Sequence, residues 1–166
     1  AGVPGLTPRI GSAAMALVTA ATERAPHFVA FTEARGGYGG KWGGGESGLR
    51  PLAIPPRQRL DDVCKAVDGL PFGGTDCALP MIWAERNRVD VDTFVIYTDS
   101  ETWAGSVHPA QAIRAYRQAR GIAAKVVVVG MTSNGFSIAD PGDAGMLDVV
   151  GFDTATPAVI SDYARA

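Results

Sequence analysis

Thr93-Phe94-Val95-Ile96-Tyr97-Thr98 followed at once by Asp99-Ser100-Glu101 decides how this chain is read. Six residues of nearly continuous β-branched and aromatic character are the pattern of a parallel strand covered on both faces, because an exposed face would call for alternating polar residues. Lys125 to Gly130 (KVVVVG) repeats the pattern. Between the two, His108-Pro109 opens a helix that carries Pro109, Ala112, Ile113 and Tyr116 on one face, and Gly121 stands just past its end. Strand, helix, strand in this order is the unit from which parallel sheets are built.

Working outward, Gly73-Gly74-Thr75-Asp76 reads as a turn feeding a helix over about residues 77 to 87, with Thr75 or Asp76 as cap and Pro80 tolerable only in the first turn. Thr7-Pro8 with apolar residues at Ile10, Ala13, Ala14, Leu17, Val18 and Ala21 predicts a helix from about 8 to 24. His27 to Thr32 (HFVAFT) reads as a strand, Leu49 to Ile54 as a strand paired with it, and Gln58 to Val67 as a helix ending near Gly69. Eight of the thirteen residues from Gly36 to Gly48 are glycine, which predicts a loop. A polar loop from Met131 to Gly145, a short strand around Leu147 to Phe152 and a helix from Ala158 to Ala164 complete the chain. The expectation is one α/β domain, Rossmann-like, with a mostly parallel sheet and helices on both faces. Ligands of such sheets lie beyond the carboxyl ends of the strands, here after Thr32, Thr98 and Gly130.

Composition removes several classes of function. The 166 residues are 46% hydrophobic and 19% charged, enough to bury a core and too apolar for general disorder. Fifteen basic against 17 acidic residues give a net charge of -2, so any nucleic-acid contact has to be local. The longest aliphatic run, Val126 to Val129, falls far short of the ~20 apolar residues of a membrane-spanning helix, and no membrane partner is expected. Cys64 and Cys77 lack zinc-ligand spacing and cannot form a disulfide framework, which fits a reducing, cytoplasmic setting. No signal peptide is visible at Ala1, and the expectation is that the numbering starts inside a longer protein.

Asp99 at the rim of the sheet and a Thr75 hydroxyl presented by a glycine-flanked turn are oxygen donors suited to Mg²⁺, Mn²⁺ or Ca²⁺. Against this stands the ordinary use of such residues as caps and turn formers. The same reading assigns turn and capping roles to Asp140, Asp143, Asp148 and Asp153, packing to Trp83 and Trp103, burial to Cys77, and loop bracing to His108. Ser100, His108 and Asp99 do not form a catalytic group on this spacing, since Asp99 and Ser100 share one turn and no nucleophile elbow is present. No GxGxxG follows a strand and no P-loop occurs, which excludes the common nucleotide sites.

GGTDCALPMIWA (Gly73 to Ala84), FVIYTDSETWAGSVHPAQAIRAYR (Phe94 to Arg117) and KVVVVGMTSNGFSIADPGDAGMLDVVGFDT (Lys125 to Thr154) closely resemble the von Willebrand factor A domain of Ro autoantigen proteins, the ribonucleoproteins built on a TROVE module. The likeness is dense from Gly73 onward and looser ahead of it. It implies a metal-ion-dependent adhesion site, in which Thr75 and Asp99 match the threonine and aspartate of the second and third loops. The Asp-x-Ser-x-Ser motif of the first strand has no match, so the resemblance implies that residues 1–166 form such a domain without its first strand, as the C-terminal part of a longer protein. It also implies a non-enzymatic, accessory role: Mg²⁺, or else Mn²⁺ or Ca²⁺, held for contact with a protein partner, in a cytoplasmic particle that binds misfolded small RNAs and Y RNAs mainly through other parts of the parent. The alternative is direct RNA contact through the glycine tract, whose Arg35, Tyr38, Lys41 and Trp42 mix cations with stacking rings.

Overall fold

A computed structural model describes residues 5–32, 48–70, 75–98, 105–130, 138–151 and 153–166. The elements run α1 (Pro8–Thr22), β1 (Phe28–Phe31), β2 (Leu49–Leu52), α2 (Leu60–Asp68), α3 (Leu79–Arg86), β3 (Thr93–Thr98), α4 (Pro109–Arg120), β4 (Lys125–Gly130), β5 (Met146–Val150) and α5 (Thr156–Arg165).

β3, β4 and β5 form a parallel sheet with β4 in the middle, in a register that sets Thr93 beside Lys125 and Val126 beside Met146. Side chains alternate across it. Phe94, Ile96, Val126, Val128 and Met146 face α3 and α4, and with Met81, Ala84, Ile113 and Tyr116 they make the larger core. Val127 and Val129 face the other way, toward Met15 of α1 and Ile160 of α5, in a smaller second core. β4 is buried along Val126 to Val129, as its sequence predicts. β3 is not covered equally on both faces: Phe94, Ile96 and Thr98 are buried, whereas Val95 and Tyr97 are half-buried, because the second core is thinner.

Each helix end follows from local chemistry. Thr7 accepts from the Ile10 N–H at 3.2 Å and Pro8 occupies the first turn of α1. His108 Nδ1 accepts from the Ala110 N–H at 3.1 Å, and the Gln111 amide oxygen accepts from the His108 N–H at 3.3 Å, a reciprocal box that starts α4. Gly121 ends it at φ +67°, the left-handed cap that glycine supplies. Arg117 then pins α4 to the amino end of the sheet, donating from Nε to the Ala124 carbonyl at 2.7 Å and pairing with Asp143 at 2.6 Å. Burial pushes the Asp143 carboxyl up, but the Arg117 hydrogen bond, the Gly145 N–H and the charges of Arg117 and Arg114 outweigh it and hold the group below the ordinary carboxylate range.

The first strand pair departs from a single mostly parallel sheet. β1 and β2 make a separate antiparallel ribbon, Phe28 opposite Leu52 and Phe31 opposite Leu49. All four residues of β1 are half-buried. Among the described residues β3 pairs on one edge only, with β4. α3 lies against both sheets: its Trp83 meets His27 at 6.4 Å between ring centroids, and Phe31 packs on the α3–α4 core.

Candidate functional site at the carboxyl end of the parallel sheet

β3 delivers the chain to the rim of the sheet at Thr98, which is buried. The turn leading into α3 is built around Asp76. Asp76 Oδ1 accepts from the Ala78 N–H at 3.0 Å and its backbone oxygen accepts from the Leu79 N–H at 3.1 Å, so Asp76, rather than Thr75, is the residue whose side chain shapes this turn. α3 itself starts two residues later than the sequence predicts, with Pro80 inside its first turn. Burial raises the Asp76 carboxyl above its ordinary pKa, with the Ala78 N–H pulling the other way.

Gly105, at φ +124°, lies directly against the Asp76 carboxylate, and a Cβ at this position would collide with both carboxylate oxygens. Gly105 is thereby brought onto the Asp76 turn. Thr75 is half-buried there. Asp99, its proposed companion, lies outside the described residues, as do Ser100, Trp103 and the tract carrying Arg35, Tyr38, Lys41 and Trp42.

On the inner side of this turn Cys77 is buried as the sequence predicts, beside an acidic neighbour that sequence reasoning missed. Cys77 is fully buried, and its thiol is pushed up to about 12, first by burial and then by the negative charges of Asp76 and Asp148. Asp148, expected in a turn or cap, sits instead within β5 on the side that faces α3, in step with Met146 and Val128, and its carboxylate accepts from the Ala139 N–H at 3.1 Å and 3.2 Å. An acidic residue at a core-facing step of MLDVV was the available signal. Among the described residues no group of three His, Cys, Asp or Glu side chains is placed to hold a metal ion. Thr75 and Asp76 supply oxygen chemistry of the right kind for a hard cation and no complete shell.

The remaining polar residues have structural employment. Asp140 accepts from the Gly142 N–H, Asp143 from the Gly145 N–H, and Asp153 from the Ala155 and Thr156 N–H groups at the start of α5. His108 spends Nδ1 on its helix, which removes that nitrogen as a general base. No helix of the described residues is long and apolar enough to cross a membrane.

A parallel sheet between two pairs of helices defines an α/β domain of the Rossmann-like, von Willebrand factor A class. The model of the Ro60 vWA domain matches residues 2–164, and the chain belongs to that family. It is 48% identical over 165 residues to the RNA-binding protein RO60 of Deinococcus radiodurans, covering 99% of this chain and 28% of that protein. It is 48% identical over 116 residues to the RNA-binding protein RO60 of Caenorhabditis elegans, covering 69% of this chain and 18% of the relative. The crystal structure of the Deinococcus radiodurans Ro (Rsr) protein superposes with a TM-score of 0.85 at 48% identity, over 99% of this chain and 30% of that one. The chain thus spans less than a third of the length of these relatives.

Proposed function

We propose that this domain is the cation-holding, protein-contacting module of a Ro-type RNA-binding protein and that it works by coordination rather than catalysis. The observation that carries the reading is the close approach of Gly105 to the Asp76 carboxylate, because Asp99 belongs to the short link between Thr98 and Gly105 and Thr75 adjoins Asp76. In this reading Thr75 and Asp99 each give one oxygen to a Mg²⁺ ion, or to Mn²⁺ or Ca²⁺, and an acidic group of a partner protein completes the shell. Support for an RNA context comes from the two relatives that carry the name RNA-binding protein. Small noncoding RNAs, misfolded RNAs and Y RNAs among them, are the proposed cargo of the cytoplasmic parent, held mainly outside residues 1–166.

The remaining oxygen ligands belong, in this proposal, to a further strand of the parent protein seated beside β3. Two observations support it: the open edge of β3 among the described residues, and a half-buried β1 that pairs only with β2 while α3 touches both sheets. The test is a titration of Mg²⁺ or Mn²⁺ into the full-length parent and its Asp99→Ala and Thr75→Val variants. Loss of binding in both variants is the expected result. Identical binding by the parent and Asp99→Ala overturns the site.

A further inference from the structure

A concavity lies between the segment that leaves β2 and the inner face of α2. It encloses about 360 Å³, more than twice the roughly 150 Å³ of a dry protein cavity that holds benzene. Leu52 and Ile54 line one side, and Val67 with the buried Val63 and Leu70 lines the other. These walls are aliphatic throughout. Among the described residues no aromatic ring and no acidic side chain lines the cavity, so it offers neither a stacking platform nor a seat for a cation.

Polar recognition falls to one residue. Gln58 stands in the wall, but its amide oxygen has no accessible surface and is not presented to an occupant. Arg50 is the one charged residue of the lining. It lies two residues from Leu52 on the same face of β2, so a molecule resting on Leu52 reaches the guanidinium as well. Arg50 is exposed and forms no ion pair with a described residue. The acids of α2 do not supply one: Asp68 pairs with Arg9, and Asp61 and Asp62 lie outside the lining in the first turn.

An exposed arginine alone is ordinary, and so is a small apolar hollow. Joined, they select for an apolar chain that ends in a single negative charge. The planar guanidinium fork matches a carboxylate in two parallel hydrogen bonds. A phosphate monoester brings close to two charges, of which one arginine answers only part. We infer that this cavity binds a medium-chain aliphatic monocarboxylate, its tail between the β2 segment and α2 and its carboxylate paired with Arg50. The site is independent of the cation proposed above.

The experiment is calorimetric titration of hexanoate, octanoate and decanoate, below their micelle concentrations, into the full-length parent freed of nucleic acid and held in EDTA. Failure of the cation reading leaves it unaffected. Affinity is expected to rise about three- to fourfold with each added methylene, as buried tail length dictates. Decanol, with a comparable tail and no charge, is expected to bind about tenfold or more weakly than decanoate. Arg50→Ala is expected to reduce decanoate to the level of decanol at an unchanged melting temperature. Ala66→Trp, at an exposed helix position on the cavity wall, is expected to weaken decanoate and decanol alike by about tenfold, because the indole occupies the space of the tail. Absence of decanoate binding overturns the inference. So does decanol that binds as well as decanoate, or an Arg50→Ala or Ala66→Trp variant that binds decanoate as the parent does.

Discussion

Tyr116 shows how a single residue holds the site in place. It is fully buried in α4 and meets Phe94 edge-on at 5.1 Å. Its hydroxyl donates to the Val89 carbonyl at 2.8 Å and accepts from the Val91 N–H at 2.7 Å. The ring therefore fixes the chain just ahead of β3, and through β3 the position of Thr98 at the end of the strand. Tyr116→Phe keeps the packing and strands both backbone partners, which is expected to cost about 1–3 kcal/mol in urea unfolding. An unchanged midpoint would mean that water replaces the hydroxyl. The hydroxyl's role was not legible from sequence. Periodicity puts Tyr116 on the buried face of a helix, but its partners lie 25 and 27 residues away in an irregular segment.

At the scale of elements, two glycines with positive φ make different demands. Gly121 closes α4 in open surroundings, with nothing within 4 Å of an added Cβ. Its alanine variant is thus expected to lose only the left-handed backbone preference, about 1–2 kcal/mol, with Asn recovering part of it. Gly105 combines φ +124° with direct contact against Asp76, so Gly105→Ala meets both strain and collision. It is expected to destabilise the fold by clearly more than Gly121→Ala in parallel thermal melts. If the two variants melt alike, the Gly105–Asp76 approach is not tight, and the juxtaposition of Thr75 with the Asp99 segment loses its support. The sequence marks Gly121 as a helix stop because capping is local. It gives no hint about Gly105, whose constraint comes from a residue 29 positions away.

For the whole molecule the governing feature is the edge of β3 that pairs with no strand among the described residues. An apolar strand with an uncovered edge is a template for another strand. Residues 1–166 alone are therefore expected to associate with rising concentration in sedimentation velocity, whereas the proposed longer parent, with a further strand covering that edge, is expected to stay at one size. A chain that remains monomeric at every concentration would argue that the edge is already protected. The HFVAFT strand and its return at Leu49 were visible as strands, but nothing in either states which strand lies beside β3.

What the sequence determined by itself was local: TFVIYT and KVVVVG as strands at their observed limits, α4 between its His108-Pro109 start and Gly121 stop, the turn and capping duties of Asp140, Asp143 and Asp153, and membership of an α/β class. These depend on propensity, periodicity and caps, whose causes lie within a few residues. Tertiary structure alone decided the split into two sheets, the folding of Gly105 onto Asp76, the placing of Asp148 near Cys77 and the burial of the Gln58 amide oxygen. Each of those depends on which distant segments share space, and that is set by the packing of whole elements rather than by any stretch of chain.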